Sequence, residues 1–108
     1  MKKPKYFRLE GQEPVPLASL NEWLEHCLTR GDVSEQIARD ENETHCVSTV
    51  FMGFENGYDQ LSRPLVFETM VLSMDRALTT TIRRAATWDD AMALHANAVA
   101  IFLHGESS

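Results

Sequence analysis

Long apolar runs, a cysteine framework and clustered basic residues are all scarce in this sequence. No apolar stretch approaches the roughly 18 residues of a membrane span, so no membrane partner is expected. The basic start, Met1-Lys2-Lys3-Pro4-Lys5, is not followed by an apolar signal-peptide core, which predicts a cytoplasmic protein. The only two cysteines, Cys27 and Cys46, fit a reducing compartment with free buried thiols. No C-x-x-C pair and no glycine-rich phosphate loop is present. Basic residues are few beyond the N-terminus. Lys2, Lys3, Lys5 and Arg8 place four positive charges in the first eight residues, and a net charge of -6 overall leaves -10 on the other hundred. Duplex DNA is therefore not an expected partner, because phosphate contacts need clustered Lys and Arg. Residues 1–5 read as a flexible, solvated basic arm or as a contact for an acidic surface.

What is present is enough for one domain over 1–108. Hydrophobic content of 44% and charged content of 24% suit a globular chain with a single modest core. Two segments dominate, Thr44 to Phe54 and Pro64 to Ser73. Both are rich in β-branched and aromatic residues, and neither alternates cleanly. A strand with one face in water alternates apolar and polar side chains. These two predict strands whose faces are both covered.

The remaining elements follow from local signals. Tyr6 to Pro16 reads as a hairpin turning at Gly11, with Pro14 and Pro16 confining the return segment to an edge. Ser19-Leu20-Asn21-Glu22 is a capping box for a helix from Leu20 to Arg30, stopped by Gly31, with Leu20, Trp23, Leu24, Cys27 and Leu28 on one face. Asp32 to Asp40 reads as a strand or a helical turn, the strand being favoured. Ala77 to Ala85 reads as a half-exposed strand. Thr87-Trp88-Asp89-Asp90 caps a second helix running to about His104. The expected fold is α+β: an antiparallel sheet of four to five strands with two helices packed on one face.

Several residues could carry chemistry. His95 interrupts the apolar stripe Trp88, Met92, Val99 and Phe102. It is either a core histidine held by a strand hydroxyl such as Ser48 or Thr69, or a pocket residue. Glu68 interrupts an apolar strand and needs Arg63, Arg83 or Arg84 as a partner, or a ligand. Thr79, Thr81 and Arg83, with Arg84 beside them, could face a phosphate or be an ordinary exposed strand. Tyr58, Asp59, Gln60 and Arg63 form a mixed loop suited to a partner surface or simply solvated. His26-Cys27 and His45-Cys46 are ligand-type dipeptides. Neighbours on a strand point to opposite faces, so no metal and no other cofactor is expected.

The stretches Val47-Ser48-Thr49-Val50-Phe51-Met52-Gly53-Phe54, Pro64-Leu65-Val66-Phe67-Glu68-Thr69-Met70 and Arg84-Ala85-Ala86-Thr87-Trp88-Asp89-Asp90-Ala91, with His95 downstream, occur in that order. Together they resemble a group of short proteins encoded by bacteriophages and prophages, whose members share S-T-V-[FW]-x-G, F-E-T-M and [YA]-x-T-W-x-x-A motifs. The resemblance spans residues 6–100 and implies a phage or prophage origin and the cytoplasm of a bacterial host. It implies no reaction. Where the group more often has Leu-Asp-His, this chain has Phe54-Glu55-Asn56, so a histidine role in that loop does not carry over.

Two helices on one face leave the apolar residues of the other, some subset of Val47, Phe51, Met52, Val66, Met70, Leu72 and Met74, needing a second cover. A homodimer is the economical solution. The expected function is non-enzymatic: binding a host or defence protein, with Tyr58, Asp59, Arg63, Phe51 and Met70 at the interface. The alternative is a binder of a nucleotide-like signal, with Glu68, Arg83, Arg84, Thr79, Thr81 and His95 around the ligand. A small enzyme would require His95, Glu68 or Cys46 to converge in one cleft.

Overall fold

The computed structural model describes residues 3–32, 34–74 and 78–105, apart from the side chains at 78–81. Its element order is β1 (Tyr6–Glu10), β2 (Glu13–Leu17), α1 (Leu20–Arg30), β3 (Glu35–Glu41), β4 (His45–Phe51), β5 (Phe67–Ser73), β6 (Leu78–Ala85) and α2 (Trp88–Ala98), the last continued by a π-helical turn, Val99–Leu103. β1 and β2 form a two-stranded ribbon, and β3-β4-β5-β6 form a four-stranded sheet in sequence order. Every pairing is antiparallel. The α+β class and the four-stranded antiparallel sheet agree with expectation, and the ambiguous segment after α1 is a strand.

Both helices begin where their caps place them. The Ser19 hydroxyl accepts from the Glu22 amide at 3.2 Å, and the Glu22 carboxylate accepts from the Ala18 amide at 2.8 Å. Gly31 ends α1 at φ 90°, its amide donating to the Cys27 carbonyl at 2.7 Å. Thr87 caps α2 by accepting from the Asp90 amide at 3.1 Å.

The two helices part company in packing. α2 lies across β4, β5 and β6, whereas α1 packs on β1 and β2. Trp23 anchors α1 there, 5.6 Å from the Tyr6 ring and 6.0 Å from the Phe54 ring. Gly53 permits this approach: its φ is +79°, and a Cβ would sit 2.7 Å from Trp23 Nε1. The ribbon joins the main sheet through the Phe7 amide, which donates to the Gly53 carbonyl at 2.8 Å. Trp23 and Cys27 face inward as expected, but Leu20, Leu24 and Leu28 are exposed.

The core sits between α2 and one face of the sheet. Cross-strand pairs Val47↔Val71, Thr49↔Thr69 and Phe51↔Phe67 form its floor. The Phe51 and Phe67 rings meet at 5.3 Å, and Trp88 stands edge-on to Phe67 at 6.3 Å. Ala91, fully buried, lets the helix come close. Phe51 is 1% exposed, which removes it, with Val47 and Val66, from the residues expected on an outer face. Alternation along the paired strands puts Cys46, Ser48, Val50, Glu68, Met70, Leu72, Ile82 and Arg84 on the opposite face. Helix α2 does not reach that face.

Candidate functional site

The most unusual chemistry is a chain of four side chains between α2 and the sheet. His95, 6% exposed, projects from the buried side of α2. Its Nε2 lies 2.8 Å from Asp40 Oδ2 on β3, and its Nδ1 lies 2.8 Å from Thr49 Oγ1 on β4. Thr49 Oγ1 is in turn 2.6 Å from Thr69 Oγ1 on β5. The register explains the assembly. Asp40 pairs with Val47 and Thr49 with Thr69, so three neighbouring strands present polar atoms to one helical position.

Partner chemistry fixes the direction of each bond while His95 is neutral. A carboxylate only accepts, so Nε2 carries the proton and donates to Asp40. Nδ1 is then an acceptor and takes the Thr49 hydroxyl proton. The Thr69 hydroxyl donates to Thr49. Carboxylate, imidazole and hydroxyl stand in the order of a nucleophilic triad. Yet Thr49 is fully buried, and its oxygen is engaged on both sides. The arrangement holds α2 to three strands.

As a core histidine, His95 is expected to meet a strand hydroxyl such as Ser48 or Thr69. The direct partner is Thr49, with Thr69 one step beyond. Ser48 lies on the opposite face and accepts from Gln36 at 2.9 Å. Asp40 stands next to Glu41 and close to Glu43 in the sequence, and nothing local distinguishes it from them.

Glu68 pairs with Arg84 at 3.1 Å on the outer face of the sheet. Arg83 pairs with Thr69 on the helix-facing side. The expected ligand set is therefore divided by the sheet, with Glu68 and Arg84 on one face and Arg83 and His95 on the other. A β-bulge separates the pairings Val71↔Thr81 and Leu72↔Thr79; the side chains of Thr79 and Thr81 lie outside the described residues. Cys46 and His95 are likewise on opposite faces of β4. His45 faces α2, its ring 5.7 Å from Phe102. Among the described residues, no three His, Cys, Asp or Glu side chains gather as a metal site, and no helix is long and apolar enough to cross a membrane.

The loop between β4 and β5 is a second ordered feature. It continues the strand pairing outward through the Asn56 amide to the Leu65 carbonyl at 3.0 Å and a Tyr58↔Pro64 bridge. Asp59 organises the tip. Its Oδ1 accepts from the Leu61 and Arg63 amides at 2.9 Å, and its Oδ2 accepts from Arg63 Nε at 2.7 Å. Arg63 also reaches Asp90 at 3.5 Å. Tyr58 carries the Lys3 ammonium 4.4 Å above its ring.

The Arg63 amide, with the Arg63 guanidinium and the Leu61 amide, holds the Asp59 carboxyl below its ordinary value of 3.8. A depressed carboxyl stabilises the folded tip above its unfolded pKa and loses that contribution as pH falls through the folded one. Acidification below the ordinary value is therefore expected to loosen residues 59–63 while the sheet persists. Amide exchange of Leu61 and Arg63 measured against pH checks this. Unchanged protection after Asp59 has titrated would refute it.

No protein-family model, curated protein or solved structure matches this chain.

Proposed function

We propose that the protein is a non-catalytic binding protein of phage or prophage origin, that it acts as a homodimer, and that it engages a host or defence protein. The observation that carries this reading is the outer face of the four-stranded sheet. Val50, Met70 and Leu72 are only half-buried there, and Ile82 is 42% exposed. Its charges come in both signs and are paired, Arg39 with Glu41 at 3.3 Å and Arg84 with Glu68 at 3.1 Å. The face is thus close to neutral on a chain of net charge -6, so two copies can meet there without strong repulsion.

Met70 supplies an adaptable contact. The loop tip, with Tyr58 and Leu61 exposed and Asp59 and Arg63 braced, is the surface left for a second partner.

Light scattering on the full chain at tens of micromolar is expected to give a dimer. Met70→Glu, which places a charge at the centre of the apolar face, is expected to give a folded monomer. A wild-type chain that stays monomeric at that concentration would sink the reading.

A further inference from the structure

A cavity of about 220 Å³ lies under the end of α2, between the π-helical turn and β5–β6. Thr69, Arg83 and Asn97 give it polar atoms, and Leu94, Ile101 and Phe102 give it an apolar wall. Among the described residues that line it, Arg83 is the charged one. A π-helical turn departs from regular α-helix and is found disproportionately at functional sites; here it supplies Ile101 and Phe102 to the wall. Thr69 is also the last member of the chain that begins at Asp40. A residue that lines the cavity is therefore two hydroxyl steps from the buried histidine.

We propose that this cavity binds a small carboxylate bearing a short apolar group, and that binding is coupled to protonation of His95. The proposal is independent of the dimer. Arg83 spends Nη1 on the Ile82 carbonyl at 2.9 Å, and a guanidinium carries five N–H donors in a fork suited to a carboxylate. The apolar wall receives the rest of the molecule. A volume of about 220 Å³ suits a small acid, below the roughly 300 Å³ at which sites for drug-sized ligands begin.

The coupling follows from hydrogen-bond direction. With His95 neutral, Thr69 donates to Thr49 and has only lone pairs to offer the cavity. A carboxylate, which only accepts, gains nothing from Thr69 in that state. When His95 takes a second proton, Nδ1 becomes a donor, Thr49 turns to donate to Thr69, and the Thr69 proton is free to point into the cavity. The bound carboxylate accepts it. No covalent bond changes; one proton is taken up from solvent on binding. Among the described residues, the charged group in contact with His95 is Asp40 on β3; on the same side of the sheet His45 lies on β4 against Phe102, and Arg83 lies on β6 opposite Thr69. Glu68 on β5 faces the other way.

The experiment titrates the full chain with benzoate by calorimetry and by amide resonance shifts. Benzamide serves as the neutral isostere, and N-acetyl-leucine stands for a peptide C-terminus. Benzoate is expected to shift the amides of Thr69, Arg83, Asn97 and Ile101, and benzamide is expected to bind at least about tenfold more weakly. Affinity is expected to rise about tenfold on acidification. Arg83→Gln is expected to lower affinity at least about tenfold. Thr69→Val should remove the pH dependence while leaving the Arg83-dependent part. Tighter binding of N-acetyl-leucine than of benzoate would assign the source to a chain terminus, and the reverse to a free acid. Absence of binding at millimolar concentrations, or equal binding of benzamide, overturns the site. A pH-independent benzoate affinity overturns the coupling. If Arg83→Gln unfolds, the comparison of benzoate with benzamide on the wild-type chain decides.

Discussion

Replacing Thr49 with Val is expected to lower unfolding stability by about 2–4 kcal/mol, because it strands two buried polar groups at once. Valine keeps the shape and the β propensity, so packing is little changed. What is lost is the proton accepted by His95 Nδ1 and the oxygen that accepts from Thr69. Replacing Thr69 with Val removes only the last donor. Thr49 still donates to His95, so the cost is expected to be about 1 kcal/mol. The asymmetry tests whether Thr49 is the middle member of the chain, bonded on both sides. Urea unfolding of both variants near neutral pH measures it. A Thr69→Val loss equal to or greater than that of Thr49→Val would mean that Thr49 does not hold that middle place. Against a total stability of roughly 5–15 kcal/mol for a domain of this size, the Thr49 change is large enough to read cleanly.

Truncating Phe67 to Ala is expected to cost about 3–5 kcal/mol, the largest effect of any single change considered, because the ring is fully buried between Phe51 and Trp88 and its removal leaves a cavity. Met70, three residues along the same strand, lies on the other face and is only half-buried. Met70→Ala is expected to cost about 1 kcal/mol in dilute solution. Thermal unfolding at low concentration compares the two. Similar losses would mean that both faces of β5 are packed within one chain, which would remove the basis for a second copy at the outer face.

Much of the fold was legible because its signals are short-range. Ser19 with Glu22, Gly31, and Thr87 with Asp90 act within four residues, so both helices begin, and α1 ends, where the sequence predicts. The prolines of β2 and the apolar character of β4 and β5 were equally direct. The segment now seen as β3 was ambiguous because its strand character comes from pairing with β4, including a bulge between Gln36 and Ala38. The loop before β5 read as irregular for the same reason: its order comes from bonds across the arm and from Asp59 at the tip.

The candidate site was legible only in half. His95 stood out because a histidine in an apolar helical stripe needs a partner. Which partner it takes depends on strand register. A shift of one residue along β4 would have presented Ser48 instead of Thr49. Asp40 carried no local mark at all. It reaches His95 across 55 residues of sequence, because β3 pairs with β4 in the register that sets it beside Val47.

Sequence alone determined the elements and the need to cover two apolar strands, since caps, turns and side-chain alternation are properties of neighbouring residues. Tertiary structure alone decided that α2 covers one face of the main sheet while α1 stays on the ribbon. It also decided that Glu68 and Arg83 are parted by the sheet, and that four distant polar side chains meet at His95. Those outcomes depend on register and on where a helix comes to rest, which are set by the packing of the whole chain.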